Sequence, residues 1–221
     1  MDTLVTFSAG GGSAQGYLAR PGQEKYGVVV LQEWWGLVPH IKDLAGRFAA
    51  QGYVALAPDL YHGKSTVDAE EATHLMKGLD WGRALQEIGG AVGYLRQNEG
   101  CTRVGVVGFC MGGALAVLAA TQPGVDAYAA FYGFPPQGEL DKIKAPGLLF
   151  FGEQETFFSV PDAQAFAARQ RGRGVDTEVV IYPGAGHAFF NNERPEAYRK
   201  DAADDAWRRT LGLFGSRLRA R

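Results

Sequence analysis

The sequence predicts an α/β fold, a mostly parallel, twisted sheet with helices on both faces. Short apolar runs rich in β-branched residues alternate with stretches of helical period along most of the chain. One such run, Val104–Val107, passes through Gly108-Phe109-Cys110-Met111-Gly112 into an Ala/Leu-rich segment, the layout of a nucleophile elbow with cysteine at its tip. Several other runs end in carboxylate-bearing or glycine-rich loops, at the strand ends where such sheets bind ligands.

The elements follow in order. Gly10-Gly11-Gly12 reads as a hairpin turn between strands at 3–8 and 15–19. Gly27–Leu31 is a buried-type strand, and Pro39 opens a helix whose Ile41, Leu44 and Phe48 share one face before Gly52. Tyr53–Pro58 is the next strand, and a helical region spans 68–97 with a break at 78–80. The elbow strand and helix occupy 103–121, with further strands at 127–132 and 147–151. A helix at 161–171, a strand at 177–182 and a final helix over 195–219 complete the pattern. No repeat, low-complexity tract or linker interrupts it, so residues 1–221 read as one domain.

Charge and composition exclude several function classes. With 22 basic and 24 acidic side chains there is no basic field to attract nucleic acid or an anionic membrane. No apolar run approaches the roughly 20 residues that span a bilayer. Met1-Asp2-Thr3-Leu4 has neither the basic nor the apolar part of a secretory leader, so a cytoplasmic protein is expected. Two cysteines make no disulfide framework, and Cys101 reads as structural. The His and Cys spacing fits no zinc site, and no GxGxxG or Walker loop follows a strand, so neither metal nor cofactor is expected. A monomer or small homo-oligomer acting on a small molecule is the expectation.

Glu33, Asp59, Cys110, Glu155 and His187 all lie just past a strand. A thiol is mostly protonated at neutral pH, so a nucleophilic Cys110 needs a base, and the base needs an orienting acid. His187 stands in Tyr182-Pro183-Gly184-Ala185-Gly186-His187, late in the chain, which gives the order nucleophile, acid, histidine. His40, His62 and His74 lack that setting and read as surface or packing residues. Glu153 and Glu155 are both placed to orient His187. Glu33, in Gln32-Glu33-Trp34-Trp35-Gly36, is a poorly solvated carboxylate suited to gate a thiol or accept its proton. The backbone N–H groups of Met111 and Trp34 would form an oxyanion hole. Trp34, Trp35 and Phe189 are expected beside the substrate. The plain alternative is a space-filling Cys110 at a tightly packed turn.

Taken together, the elbow, the Gln-Glu-x-x-Gly loop, Ala57-Pro58-Asp59-Leu60-Tyr61 and Gly186-His187-Ala188-Phe189 resemble the dienelactone hydrolase family of α/β-hydrolases, over nearly the whole chain. The resemblance implies an α/β-hydrolase fold and hydrolysis of lactones or activated esters through an acyl-thioester. Cys110 would be the nucleophile, His187 the base, Glu155 the acid, and Glu33 the glutamate that contacts the resting thiol. Well-studied members hold the substrate carboxylate with two arginines. One follows the histidine by four positions, where this chain has Asn191; the other follows Asp-Leu-Tyr, where it has His62-Gly63-Lys64. Lys64 and Asn191 thus become candidate pocket residues, although a lysine lacks the planar bidentate contact. Three other readings compete: a general carboxylesterase or thioesterase of the same fold, a flavodoxin-like carbonyl-stress protein, and a non-enzymatic binding relative. The carbonyl-stress proteins usually carry histidine directly after the cysteine, where this chain has Met111.

Overall fold

The computed structural model describes residues 3–22 and 26–219. Among the described residues eight strands form one sheet in the order β1-β2-β4-β3-β5-β6-β7-β8. β1 (Thr3–Ala9) and β2 (Gly12–Ala19) are an antiparallel hairpin whose register pairs Ala9 with Gly12. The two-residue turn puts both Gly10 and Gly11 at positive φ, 55° and 83°, which suits glycine and the twist of a tight hairpin. β2 pairs antiparallel with β4 (Val54–Pro58), and every later pairing is parallel.

The central strands bury both faces, so their side chains alternate between two cores rather than between core and water. On β3 (Tyr26–Leu31), Val28 and Val30 face one cluster while Val29 and Leu31 face another. β5 (Arg103–Phe109) repeats this, with Val107 and Phe109 opposite Val104 and Val106. The first face is covered by α1 (Pro39–Ala50), through Ile41, Leu44 and Phe48, and by α6 (Lys200–Leu218), through Ala206 and Phe214. The second is covered by α3 (Trp81–Gln97), α4 (Met111–Ala119) and α5 (Val160–Gly172). α2 (Ala69–Lys77) is a more peripheral helix, capped by Asp68, whose side chain accepts the Glu71 N–H. Among the described residues no helix is long and apolar enough to cross a membrane.

Several expected boundaries differ, β2 among them, which begins at Gly12 rather than Gln15. β7 (Gly147–Gln154) and β8 (Thr177–Gly186) run further than their apolar cores, because pairing resumes at Gln154 and Gly186 after an irregularity. The last helix begins at Lys200 rather than near Pro195. Residues 191–199 fold into successive turns instead: Asn191 Oδ1 accepts the Glu193 N–H, and the Arg199 N–H donates to Phe189 O.

Candidate active site

β3, β5, β6 (Ala127–Phe131), β7 and β8 are parallel neighbours, so the loops after them open along one edge of the sheet. Glu33, Cys110, Tyr132, Glu155 and His187 occupy those five loops or strand ends.

Cys110 sits between β5 and the first turn of α4 with φ 55° and ψ −120°, a conformation costly for a non-glycine residue. The turn is over-determined. Cys110 N–H donates to Phe131 O at 3.0 Å, and its carbonyl accepts from Gly113 N–H at 2.9 Å. A Cβ on Gly108 would fall 1.9 Å from Gly112 O, one on Gly112 2.4 Å from Gln32 O, and one on Gly133 2.1 Å from Cys110 O. These glycines let a helix start directly against two neighbouring strand ends. Cys110 itself is half-buried. Burial and the negative charges of Glu33 and Glu155 push its thiol well above the ordinary value; backbone hydrogen bonds from Met111 and Trp34 oppose this. Both N–H groups expected to form an oxyanion hole thus favour negative charge at the sulfur.

His187 Nδ1 lies 2.8 and 3.0 Å from the two carboxylate oxygens of Glu155. That contact puts the proton on Nδ1 and the lone pair on Nε2. The Glu155 side chain is fully buried, and its Oε1 also accepts the Phe157 N–H at 2.8 Å. Of the two carboxylates open in the sequence, Glu155 is thus the histidine's partner. Glu153 is exposed and accepts the Gly184 N–H at 3.0 Å.

Glu33 is buried beneath the Trp34-Trp35 turn, 2% exposed. Its Oε1 accepts the Tyr132 hydroxyl at 2.9 Å and its Oε2 accepts Asn191 Nδ2 at 2.8 Å. Tyr132, fully buried with φ 38°, ties the group together, for its ring also meets the His187 ring edge-on at 5.0 Å. Burial and the nearby negative charges, Glu33 first, raise its phenol well above the usual value, so it stays a donor.

Several expected roles change. Phe189 does not line the site; it is fully buried against Tyr132 and Tyr182, because Ala188 at φ 61° turns the chain inward after His187. Asn191, 3% exposed, does not face a substrate but holds Glu33. Trp35 is also largely buried, stacked edge-on with Trp34 and covered by the Arg194 guanidinium at 5.1 Å. Lys64 lines a neighbouring cavity of about 270 Å³ together with Tyr61, His62, Arg83 and Glu87, and Cys110 is not part of its lining. Asp59 is a loop organiser, accepting the Tyr61 and Gly63 N–H groups. His40 is a buried packing residue, whereas His62 pairs with Glu87 at 2.8 Å. Cys101 is buried away from the site, its thiol pushed up to about 12 by desolvation.

The residues missed in the sequence are aromatic. Tyr132 follows a buried strand, as the other site residues do, and precedes Gly133; that position was the available signal. Phe157, 71% exposed, packs on the His187 ring at 4.7 Å, with Phe158 stacked at 5.9 Å. Tyr61, by contrast, belongs to the Asp59-Leu60-Tyr61 stretch already singled out in the sequence, and its hydroxyl reaches Met111 Sδ. Among the described residues no cluster of His, Cys, Asp and Glu could hold a metal ion.

This sheet order, with a strained strand-to-helix turn at β5 and a histidine after β8, defines an α/β-hydrolase. The family model for the dienelactone hydrolase family matches residues 14–218, and the chain belongs to that family. It is a carboxylic ester hydrolase of the lactone- and ester-cleaving kind. "Protein usf" of Aquifex pyrophilus is 34% identical, the match covering 97% of this chain and 98% of that one. A Bradyrhizobium protein, "Probable 2-oxo-3-(5-oxofuran-2-ylidene)propanoate lactonase", is 33% identical over 94% and 91% of the two chains. A solved structure from metagenomic libraries, a dienelactone hydrolase-like promiscuous phosphotriesterase, superposes with a TM-score of 0.88 at 23% identity, covering 99% of this chain and 98% of that one.

Proposed function

We propose that this protein hydrolyses small lactones or activated esters with Cys110 as nucleophile, through an acyl-thioester. The observation that carries the reading is the strained turn that presents Cys110 at the sheet edge where His187 is held by Glu155. The backbone N–H groups of Met111 and Trp34 act on the sulfur in the sense that favours negative charge. A carbonyl brought to that sulfur would place its oxygen within reach of the same two donors, which favour the charge that develops in the tetrahedral state. The resting thiol is neutral, since burial and two carboxylates disfavour the thiolate.

The thiol proton passes to His187 Nε2 as sulfur attacks the carbonyl carbon, and Glu155 holds the imidazolium that forms. The tetrahedral oxyanion collapses and expels the alkoxide or enolate, which takes that proton from His187. Water then attacks the thioester while His187 accepts its proton. Collapse releases the carboxylic acid and returns the proton to sulfur. Glu33 gates the cycle: its charge opposes thiolate formation until a carbonyl and the two N–H donors share the developing charge. Thioester formation suits enolate or phenolate leaving groups, which favours lactones and activated esters over amides.

The test is hydrolysis of p-nitrophenyl acetate and of dienelactone by wild type and Cys110→Ala. Turnover by wild type with loss in the variant supports the reading. Equal turnover by the two would transfer the chemistry to another residue, and inactivity of wild type on both substrates would favour the binding-relative reading.

A further inference from the structure

The charge content of the site bears on which substrates it accepts. Two buried carboxylates, Glu33 and Glu155, act electrostatically on Cys110 from the neighbouring strand-end loops. Their side-chain partners are a phenol, a primary amide and an imidazole: Tyr132 and Asn191 on Glu33, His187 on Glu155. His40, buried and electrostatically coupled to Glu33, is pushed toward its neutral form by desolvation.

Cations on the surrounding loop and helices are turned to other tasks. Arg194 lies over Trp35 with its Nε on Glu196 at 2.8 Å. Arg47 stacks on Trp207 and Phe190. Arg83 pairs with Glu87 at 2.9 Å and, with Lys64, lines the neighbouring cavity that Tyr61 also lines. An acyl group carrying its own carboxylate would therefore approach two buried negative charges with no guanidinium or ammonium of the described residues hydrogen-bonded to either.

We propose that this enzyme selects acyl groups uncharged near the scissile carbonyl, and that Asn191 and Tyr132 set this selectivity by satisfying Glu33 with neutral donors. The inference rests on the thiol-hydrolase reading and names its substrate class. At low effective dielectric a like charge several ångströms from a buried carboxylate is strongly disfavoured, and the rate ratio expected is about 10- to 100-fold.

The experiment is a matched pair sharing one leaving group: p-nitrophenyl valerate, whose acyl chain is neutral, and mono-p-nitrophenyl succinate, whose chain ends in a carboxylate. Wild type is expected to show kcat/KM at least about tenfold higher for the valerate, beyond the difference in spontaneous hydrolysis. Glu33→Gln, read as the ratio between the two esters, should narrow the preference at least about threefold, a change that misfolding alone would not produce. Arg194→Ala should leave the ratio as it is. A ratio near one, or a preference for the succinate, overturns this proposal while leaving the thiol chemistry intact. A succinate preference abolished by Arg194→Ala would instead make Arg194 an anion clamp. No turnover of either ester overturns the thiol-hydrolase reading and this proposal with it.

Discussion

Replacing Glu155 by glutamine removes a charge and almost no volume, and the structure dictates how that change propagates. Glu155 Oε2 faces His187 Nδ1 at 2.8 Å, while Oε1 accepts both Nδ1 at 3.0 Å and the Phe157 N–H at 2.8 Å. A carboxylate satisfies both donors; an amide has one acceptor oxygen. If that oxygen stays on Phe157, the NH₂ group faces Nδ1, makes it an acceptor and moves the imidazole proton to Nε2. The base then has no lone pair directed at the thiol. If the amide flips, the Phe157 N–H is left facing NH₂ and loses its acceptor. The same exchange of carboxylate for amide in a serine-protease triad lowers kcat by about 10⁴ through the wrong tautomer. Glu155→Gln is therefore expected to lose about 10³- to 10⁴-fold in kcat/KM on a p-nitrophenyl ester, with KM changed much less than kcat. Thermal unfolding should show that the variant stays folded. Activity within tenfold of wild type would refute the assignment of Glu155 as the group that sets the histidine tautomer.

Other consequences are open to direct measurement. Because the Cys110 thiol is raised, iodoacetamide should label it more slowly at pH 7 than a free thiol, and the rate should climb past pH 9; peptide mapping separates it from Cys101, and a plateau below pH 8 contradicts the electrostatics. Tyr132→Phe removes one of two side-chain donors, Tyr132 and Asn191, to a buried carboxylate, at a cost of about 1.5–3 kcal/mol. For a chain of this size that lowers Tm by about 3–12 °C, and a calorimetric shift under 1 °C would show that the hydroxyl contributes nothing. Gly112→Ala drives a methyl to 2.4 Å from Gln32 O and 2.7 Å from Leu31 O, both backbone, so urea unfolding should show a loss of at least about 2 kcal/mol. A stable, fully active Gly112→Ala protein would mean that the elbow can spread.

Much of the fold was legible because its signals are local. Gly10 and Gly11 announce the hairpin turn, Ile41, Leu44 and Phe48 announce the covered face of α1, and the run into Gly108-Phe109-Cys110 announces the elbow. Position after a strand also placed Glu33, Glu155 and His187 on one edge, since parallel neighbours align their carboxyl ends. Where a residue's role depends on a distant partner, sequence spacing failed. Tyr132 acts through a carboxylate 99 residues away, and Asn191 through the same carboxylate 158 residues away. Phe189 was misplaced because one left-handed residue, Ala188, reverses which side of the chain faces the core, and nothing in Gly-His-Ala-Phe reveals that φ. The later start of α6 has a related reason: the Arg199 N–H, which a helix from Pro195 would direct to the Pro195 carbonyl, donates instead to Phe189 O, ten residues back.

The measurement closest to the central claim is rapid-quench mass spectrometry of the enzyme mixed with p-nitrophenyl acetate, with the acylated peptide mapped in wild type and in Cys110→Ser. An acetyl group on the Cys110 peptide, forming and decaying at rates consistent with turnover, is the predicted result. Turnover with no adduct on Cys110, or an adduct that maps elsewhere and persists in Cys110→Ala, would contradict it.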